Sequence, residues 1–544
     1  MKKQTYSGNI VDVVKNEIYS GTLVVSGGKI TEIIRDKKKY KTYLIPGFID
    51  SHIHTESSML PPSEFARVAV SHGTVAVMAD PHEIANVLGM KGMKYMMDDA
   101  KGVPFHFFFS APSCVPATTF ETSGASLGVA EIEELCKNPE IKFLGEMMNF
   151  SGVIHGDSLV MEKIALAKRY GKLVDGHSPG LRGPDLKKYV GAGISTDHEA
   201  FQKDEALEKL SLGMKIQIRE GSAVKNYEEL IPIADEHYEN CMLCSDDKHP
   251  DDLVKSHINE LVVRSVKKGI DVMKVLRMAS VNPIMHYGLP VGLLGLGDGA
   301  DFIEVSDLKK FSVLKTVIGG VVVAKNGKSA LKKKPAKLVN NFHATAKKVS
   351  DFAVPSFEGE MKVIEATDGS LITKKILATP KIEKGNIISD TKNDVLKMAV
   401  VNRYKNEKPA VAFIKNFGLK KGAIASSVAH DSHNIVAVGT TDQEICDAVN
   451  LIIKNKGGVC AVQKGKTSEV LPLPIAGLMS DDRFDIVAKK YTKIDKLAKT
   501  FGSKLHAPFM TLSFMALLVI PEIKLSDKGL FDGTTFQFTN VSEK

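Results

Sequence analysis

His52-Ile53-His54 closes an apolar run, LIPGFIDSHIH, at residues 44–54. In an extended chain, side chains at i and i+2 leave the backbone on the same face, so both imidazoles can reach one ion. A lone His-x-His pair is a weak signal, because core packing accounts for most of them. Here Glu146, His177, His198 and Asp246 stand at the ends of later apolar runs, giving four imidazoles and two carboxylates. Nitrogen and oxygen donors in that number, without thiolate, suit one or two divalent ions of the zinc, manganese or iron kind.

Other polar groups occupy comparable positions. Asp80-Pro81-His82-Glu83 follows TVAVMADPH and could bind substrate or an extra ion. The ordinary reading is that Asp80 caps the next helix and Pro81 starts it. Glu121, in ATTFETSGA, and Glu220, after Arg219 in MKIQIRE, are further acids. The segment His430-Asp431-Ser432-His433-Asn434 fits a polar turn, a loop closing over the site, or a dimer contact. Cys241 and Cys244 face opposite ways if extended, which argues against a two-thiolate chelate or a redox pair. His82-Glu83 has Asn86 where a zincin motif needs histidine. Gly292, Gly295, Gly297 and Gly299 precede a strand and read as turns, not as a dinucleotide loop.

The elements that must position these groups follow a rhythm. Between residues 47 and 286, eight short apolar runs end in polar residues, and each is followed by a helix-length segment such as DSLVMEKIALAKRY or PDLKKYVGAG. Eight strand–helix alternations in about 240 residues predict a (β/α)8 TIM-type barrel. The C-terminal strand ends of such a barrel converge on one face, and the candidate ligands fall there. Residues 1–46 and 287–344 read as strands and turns, with Gly27-Gly28 as a hairpin turn. They predict one small β-sandwich built from both flanks of an inserted barrel. Beyond the linker ALKKKPAKLVNN, residues 345–544 predict a C-terminal α+β domain. One of its helices starts at Thr441 or Asp442, and the apolar run 509–520 reads as a buried strand or two.

A chain of 544 residues with 43% hydrophobic and 25% charged residues is neither disordered nor fibrous. No stretch approaches the roughly 18 apolar residues of a membrane span, and no secretory leader is visible. Six cysteines are too sparse for a disulfide scaffold, so a reducing, cytoplasmic setting is expected. The net charge of +8 is small, and the basic runs 37–39 and 332–334 lack interleaved aromatics, so no nucleic-acid partner is expected.

PGFIDSHIHTESSML, ADPHEIANVLG, GEMMNF, DGHSPGL, STDHEA, REGSA, SDDKHPDDL and AHDSHN together resemble the adenine deaminase family of the amidohydrolase superfamily, over nearly the whole chain. The resemblance implies that His52 and His54 hold one metal and that His177 and His198 hold a second. It makes Asp246 both a ligand and the proton shuttle. Glu146 stands where many relatives carry a carboxylated lysine, with Lys142 four residues back, so a glutamate bridge is expected. The implied reaction is adenine plus water to hypoxanthine plus ammonia, with two divalent ions, Mn²⁺ first and Fe²⁺ or Zn²⁺ as alternatives. A homodimer is implied as well. The purine ring must also be protonated, for which Glu220 is the candidate catalytic acid. Substrate contacts are expected from Asp80, His82, Glu83, Glu121, Arg219 and Ser222. The rival is another amidohydrolase, acting on a cyclic amide or a different aminated heterocycle. A non-catalytic relative would have lost ligands, whereas all six positions here keep metal-competent side chains.

Overall fold

A computed structural model describes residues 3–543; the start at Met1–Lys2, part of the segment searched for a leader, lies outside them. Gln4–Asp12 pairs antiparallel with Glu17–Ser26, which turns through Gly27 and Gly28 into Lys29–Arg35. Both glycines take positive φ, 61° and 78°, as a tight hairpin turn demands. Gln4–Asp12 also pairs with Tyr43–Pro46, and that strand pairs on its other edge with Phe302–Val305 from far along the chain. The two flanks therefore meet in one continuous eight-stranded sheet, not in two separate ones. The shared strand Tyr43–Pro46 is the reason, since it hydrogen-bonds to both halves.

Eight parallel strands lie between these flanks: Phe48–Ile53, Thr74–Ala79, His106–Ala111, Ile141–Met147, Leu173–Gly176, Thr196–Asp197, Lys215–Arg219 and Cys241–Cys244. The first five pair one to the next in chain order, and so do the last three. A bridge from Val174 to Ile194 joins the fifth to the sixth, and one from Ile53 to Asp246 joins the eighth back to the first. The pairing thus closes in the TIM-type manner. The first two strands are buried along their whole length, as strands covered on both sides must be.

The C-terminal segment forms a second eight-stranded sheet, largely antiparallel, with the helix Asp442–Asn455 packed against it. Thr441 caps that helix by accepting from the Glu444 amide, as expected. The run 509–520 departs from the expectation: Pro508–Phe514 is a helix followed by turns. Pro508 at its first position favours helix entry, and a short uniformly apolar run carries no period that separates helix from strand. One apolar core runs unbroken from Ile49 and Phe65 of the barrel to Phe509, Leu512 and Leu517. No helix among the described residues is long and apolar enough to cross a membrane.

Candidate metal centre

The strand ends bring all six expected ligands together around the Glu146 carboxylate. Its Oε2 lies 2.8 Å from His177 Nδ1 and 3.0 Å from His198 Nε2. Its Oε1 faces the other way, 3.4 Å from His54 Nε2. His52 Nε2 sits 3.2 Å from His54 Nε2, and Asp246 Oδ1 is 3.1 Å from His54 Nε2 and 3.6 Å from His52 Nε2. All six side chains are buried.

The surroundings fit these groups to a cation. His54 Nδ1 must donate to the Asp80 carbonyl at 2.9 Å, since a carbonyl only accepts, and this leaves the Nε2 lone pair aimed at the centre. His52 Nδ1, His177 Nε2 and His198 Nδ1 are buried without a hydrogen-bond partner. Buried carboxylates and imidazoles this close require a compensating charge. Burial lowers the tendency of His177 to hold a proton, but the Glu146 and Glu199 carboxylates outweigh it and lift the pKa to about 9. A proton on His177 thus offsets the nearby carboxylates, a charge that a divalent ion would supply instead.

A shell of other residues holds the ligands. The Asp80 carboxylate accepts from the Glu146 amide at 2.9 Å and from Ser110 Oγ at 2.7 Å. A Cβ at position 145 would strike that carboxylate, so the strand carries glycine there. Lys209, wholly buried, donates to the Ser178 carbonyl at 2.7 Å, to Asp197 at 2.8 Å and to Glu205 at 2.8 Å. Ser178 follows His177 and Asp197 precedes His198, so one ammonium pins the backbone beside both histidines. Asp246 itself holds a left-handed backbone, φ 52°, which a non-glycine residue keeps only when its surroundings enforce it.

The remaining expectations divide. His82, Glu83 and Arg219 line the pocket beside the ligands. Asp80 is one layer behind and does not cap the helix His82–Leu88, because its carboxylate is committed to Glu146 and Ser110. Glu220 points away: its carboxylate pairs with Arg264 at 3.1 Å and Lys225 at 3.2 Å. Strand parity is the cause, since Arg219 points inward and its neighbour must point outward. Ser222 donates to Asp252 at 2.7 Å and Glu121 lies buried beside Asp431, both outside the pocket lining. Glu199 and Asp247 line it without having been singled out, although each directly follows an expected ligand. The opposite wall comes from the C-terminal segment: Leu371, His430, Asp431, Phe514 and Leu517. The polar segment 430–434 therefore closes over the site.

Comparison with known proteins bears on this wall. Residues 43–323 match the amidohydrolase family model and residues 370–537 match the adenine deaminase C-terminal domain model. The adenine deaminase of Sulfurovum sp. (strain NBC37-1) is 57% identical over 97% of this chain and 98% of its own length. Those of Salinibacter ruber and Methanosarcina acetivorans are 51% and 50% identical, over 98% and 99% of this chain and equal shares of their own. The chain belongs to the adenine deaminase family. All five wall residues fall inside the match to that family's C-terminal domain, while the ligand cluster falls inside the amidohydrolase match.

Proposed function

We propose that this protein hydrolytically deaminates adenine to hypoxanthine and ammonia, with His52, His54 and Asp246 holding one divalent ion, His177 and His198 a second, and Glu146 bridging them. The observation that carries this reading is the composite pocket, with ligands from the amidohydrolase match and the facing wall from the adenine deaminase C-terminal match. Manganese is the first choice of metal, with iron or zinc also compatible with imidazole and carboxylate donors. Ions held there would supply an acidified water, its pKa lowered from about 15.7 towards about 7.

The chain's own residues do the rest. Arg219 Nη1 holds Asp246 Oδ2 at 2.5 Å, leaving Oδ1 turned to the centre. Asp246 takes a proton from the attacking water and delivers it to the departing amino group. C6 gains the oxygen, its bond to the exocyclic nitrogen breaks, and ammonia leaves. Leu371, Phe514 and Leu517 offer apolar surface suited to a flat purine ring. The unit boundaries we propose are 1–46 with 287–344, 47–286, and 345–544. Six free, buried cysteines are compatible with a reducing, cytoplasmic setting.

The test is ammonia release from adenine by protein stripped of metal and reloaded with Mn²⁺, with adenosine and dihydroorotate alongside. Metal-dependent turnover of adenine is the expected result. A fully loaded protein that leaves adenine untouched overturns the proposal.

A further inference from the structure

Asp50 stands two residues before His52 on the first barrel strand and is wholly buried. Its Oδ1 accepts from the His52 amide at 3.3 Å and from the Ser245 amide at 3.0 Å. Its Oδ2 accepts from the Ser245 hydroxyl and lies 2.8 Å from His257 Nε2. On the other side of that ring, His257 Nδ1 is 2.7 Å from Thr74 Oγ1, at the start of the second strand. Thr74, Ser245 and His257 are buried as well, and none of the four residues lines the pocket.

The donors in this network follow from its chemistry. A carboxylate only accepts, so His257 Nε2 carries the hydrogen and Nδ1 accepts from the Thr74 hydroxyl. The ring also packs edge-on against Phe65, with centres 5.8 Å apart and planes at 83°. Held at both nitrogens, the imidazole fixes the Asp50 carboxylate in turn.

What Asp50 holds adjoins two of the six ligands. One donor is the amide of His52 itself, and two come from Ser245, which directly precedes Asp246. The Asp246 amide donates to the His52 carbonyl at 2.9 Å. The left-handed backbone of Asp246, φ 52°, is therefore bracketed by a clamp on the preceding residue and a bond from its own amide. Such a conformation persists only where the surroundings over-determine it.

We propose that His257 and Asp50 form a positioning pair that acts through His52 and Ser245 to aim Asp246 at the metal centre. The effect on proton transfer rests on the role proposed for Asp246, whereas the effect on metal binding does not. The alternative is a satisfied polar cluster that supports folding alone.

His257→Leu removes the bonds to Asp50 and Thr74, whereas His257→Gln keeps a donor of similar reach towards Asp50. Mn²⁺ affinity by chelator competition, kcat and KM on adenine at saturating Mn²⁺, and urea midpoints are measured on the full chain. His257→Leu is expected to lower Mn²⁺ affinity or kcat by about 10–100-fold, with KM within about twofold of wild type. His257→Gln should recover most of that loss. A lowered urea midpoint with Mn²⁺ affinity and kcat unchanged overturns the pair, as does a His257→Gln variant no better than His257→Leu. Should wild type leave adenine untouched, the functional reading falls by itself and the Mn²⁺ affinities still decide. If His257→Leu does not fold, Thr74→Val takes its place, because it frees Nδ1 while keeping the side chain's shape. A loss in the same direction supports the pair, and wild-type affinity and kcat overturn it.

Discussion

Arg219 and Asp246 are joined inside the barrel. Nη1 of the arginine lies 2.5 Å from Asp246 Oδ2 and also touches Glu199, whose other oxygen accepts from Nη2 at 2.9 Å. The guanidinium thereby orients one carboxylate by leaning on another, a geometry that needs its planar fork. Arg219→Lys keeps the charge and loses the fork, and is expected to lower kcat or metal affinity by about 10–100-fold. Asp246→Asn removes the proposed proton carrier and should lower kcat by about 10²–10⁴-fold. Steady-state kinetics and metal analysis of the two variants check both, and an Arg219→Lys enzyme with wild-type kcat and metal content would show that the fork is dispensable.

Lys209 is a second supporting group, wholly buried with Asp197 and Glu205 as its acidic partners. Lys209→Met leaves two buried carboxylates uncompensated and is expected to cost about 3–5 kcal/mol of stability. Urea denaturation measures this. Metal affinity should fall as well, because the segments carrying His177 and His198 lose their common anchor.

Glu220 provides a contrast. Its carboxylate is engaged by Arg264 and Lys225 and does not line the pocket. Glu220→Gln should therefore leave kcat/KM within about twofold of wild type. A loss of a hundredfold or more would instead return Glu220 to the reacting centre.

Lys524 is fully buried, donating to the carbonyls of Leu371 at 2.6 Å and Phe514 at 3.1 Å, both in the pocket wall. Burial pushes its pKa down to about 7, against about 10.4 in an unfolded chain. Between those values the unfolded state binds the extra proton, so this group makes stability rise with pH. Below pH 7 both states are protonated and its contribution no longer changes. Comparing Lys524→Met with wild type, the stability difference should move in favour of wild type from pH 7 to pH 9.5. Urea midpoints at the two pH values give the answer, and a constant difference would mean that Lys524 stays charged in the folded protein.

Much of the site was legible because its logic is local. His52 and His54 share a face by the two-residue period of a strand, and Glu146, His177, His198 and Asp246 each end an apolar run. Local spacing also marked the Gly27-Gly28 turn and the helix start at Thr441. The same period could have placed Glu220 outward, had the inward direction of Arg219 been known. That direction depends on Glu199 and Asp246, which belong to other strands.

The order of residues determined the eight strand–helix alternations and brought out the six candidate ligands at their ends. Tertiary structure alone decided what faces the ligands. Residues 509–520 carry no period to separate helix from strand, yet as a helix and turns they bring Phe514 and Leu517 to the pocket. His430 and Asp431 sit more than 340 residues from His82 and Glu83 in the chain and within 4 Å of them in space. Contacts of that separation arise from the packing of one core across two segments, and no local pattern encodes them.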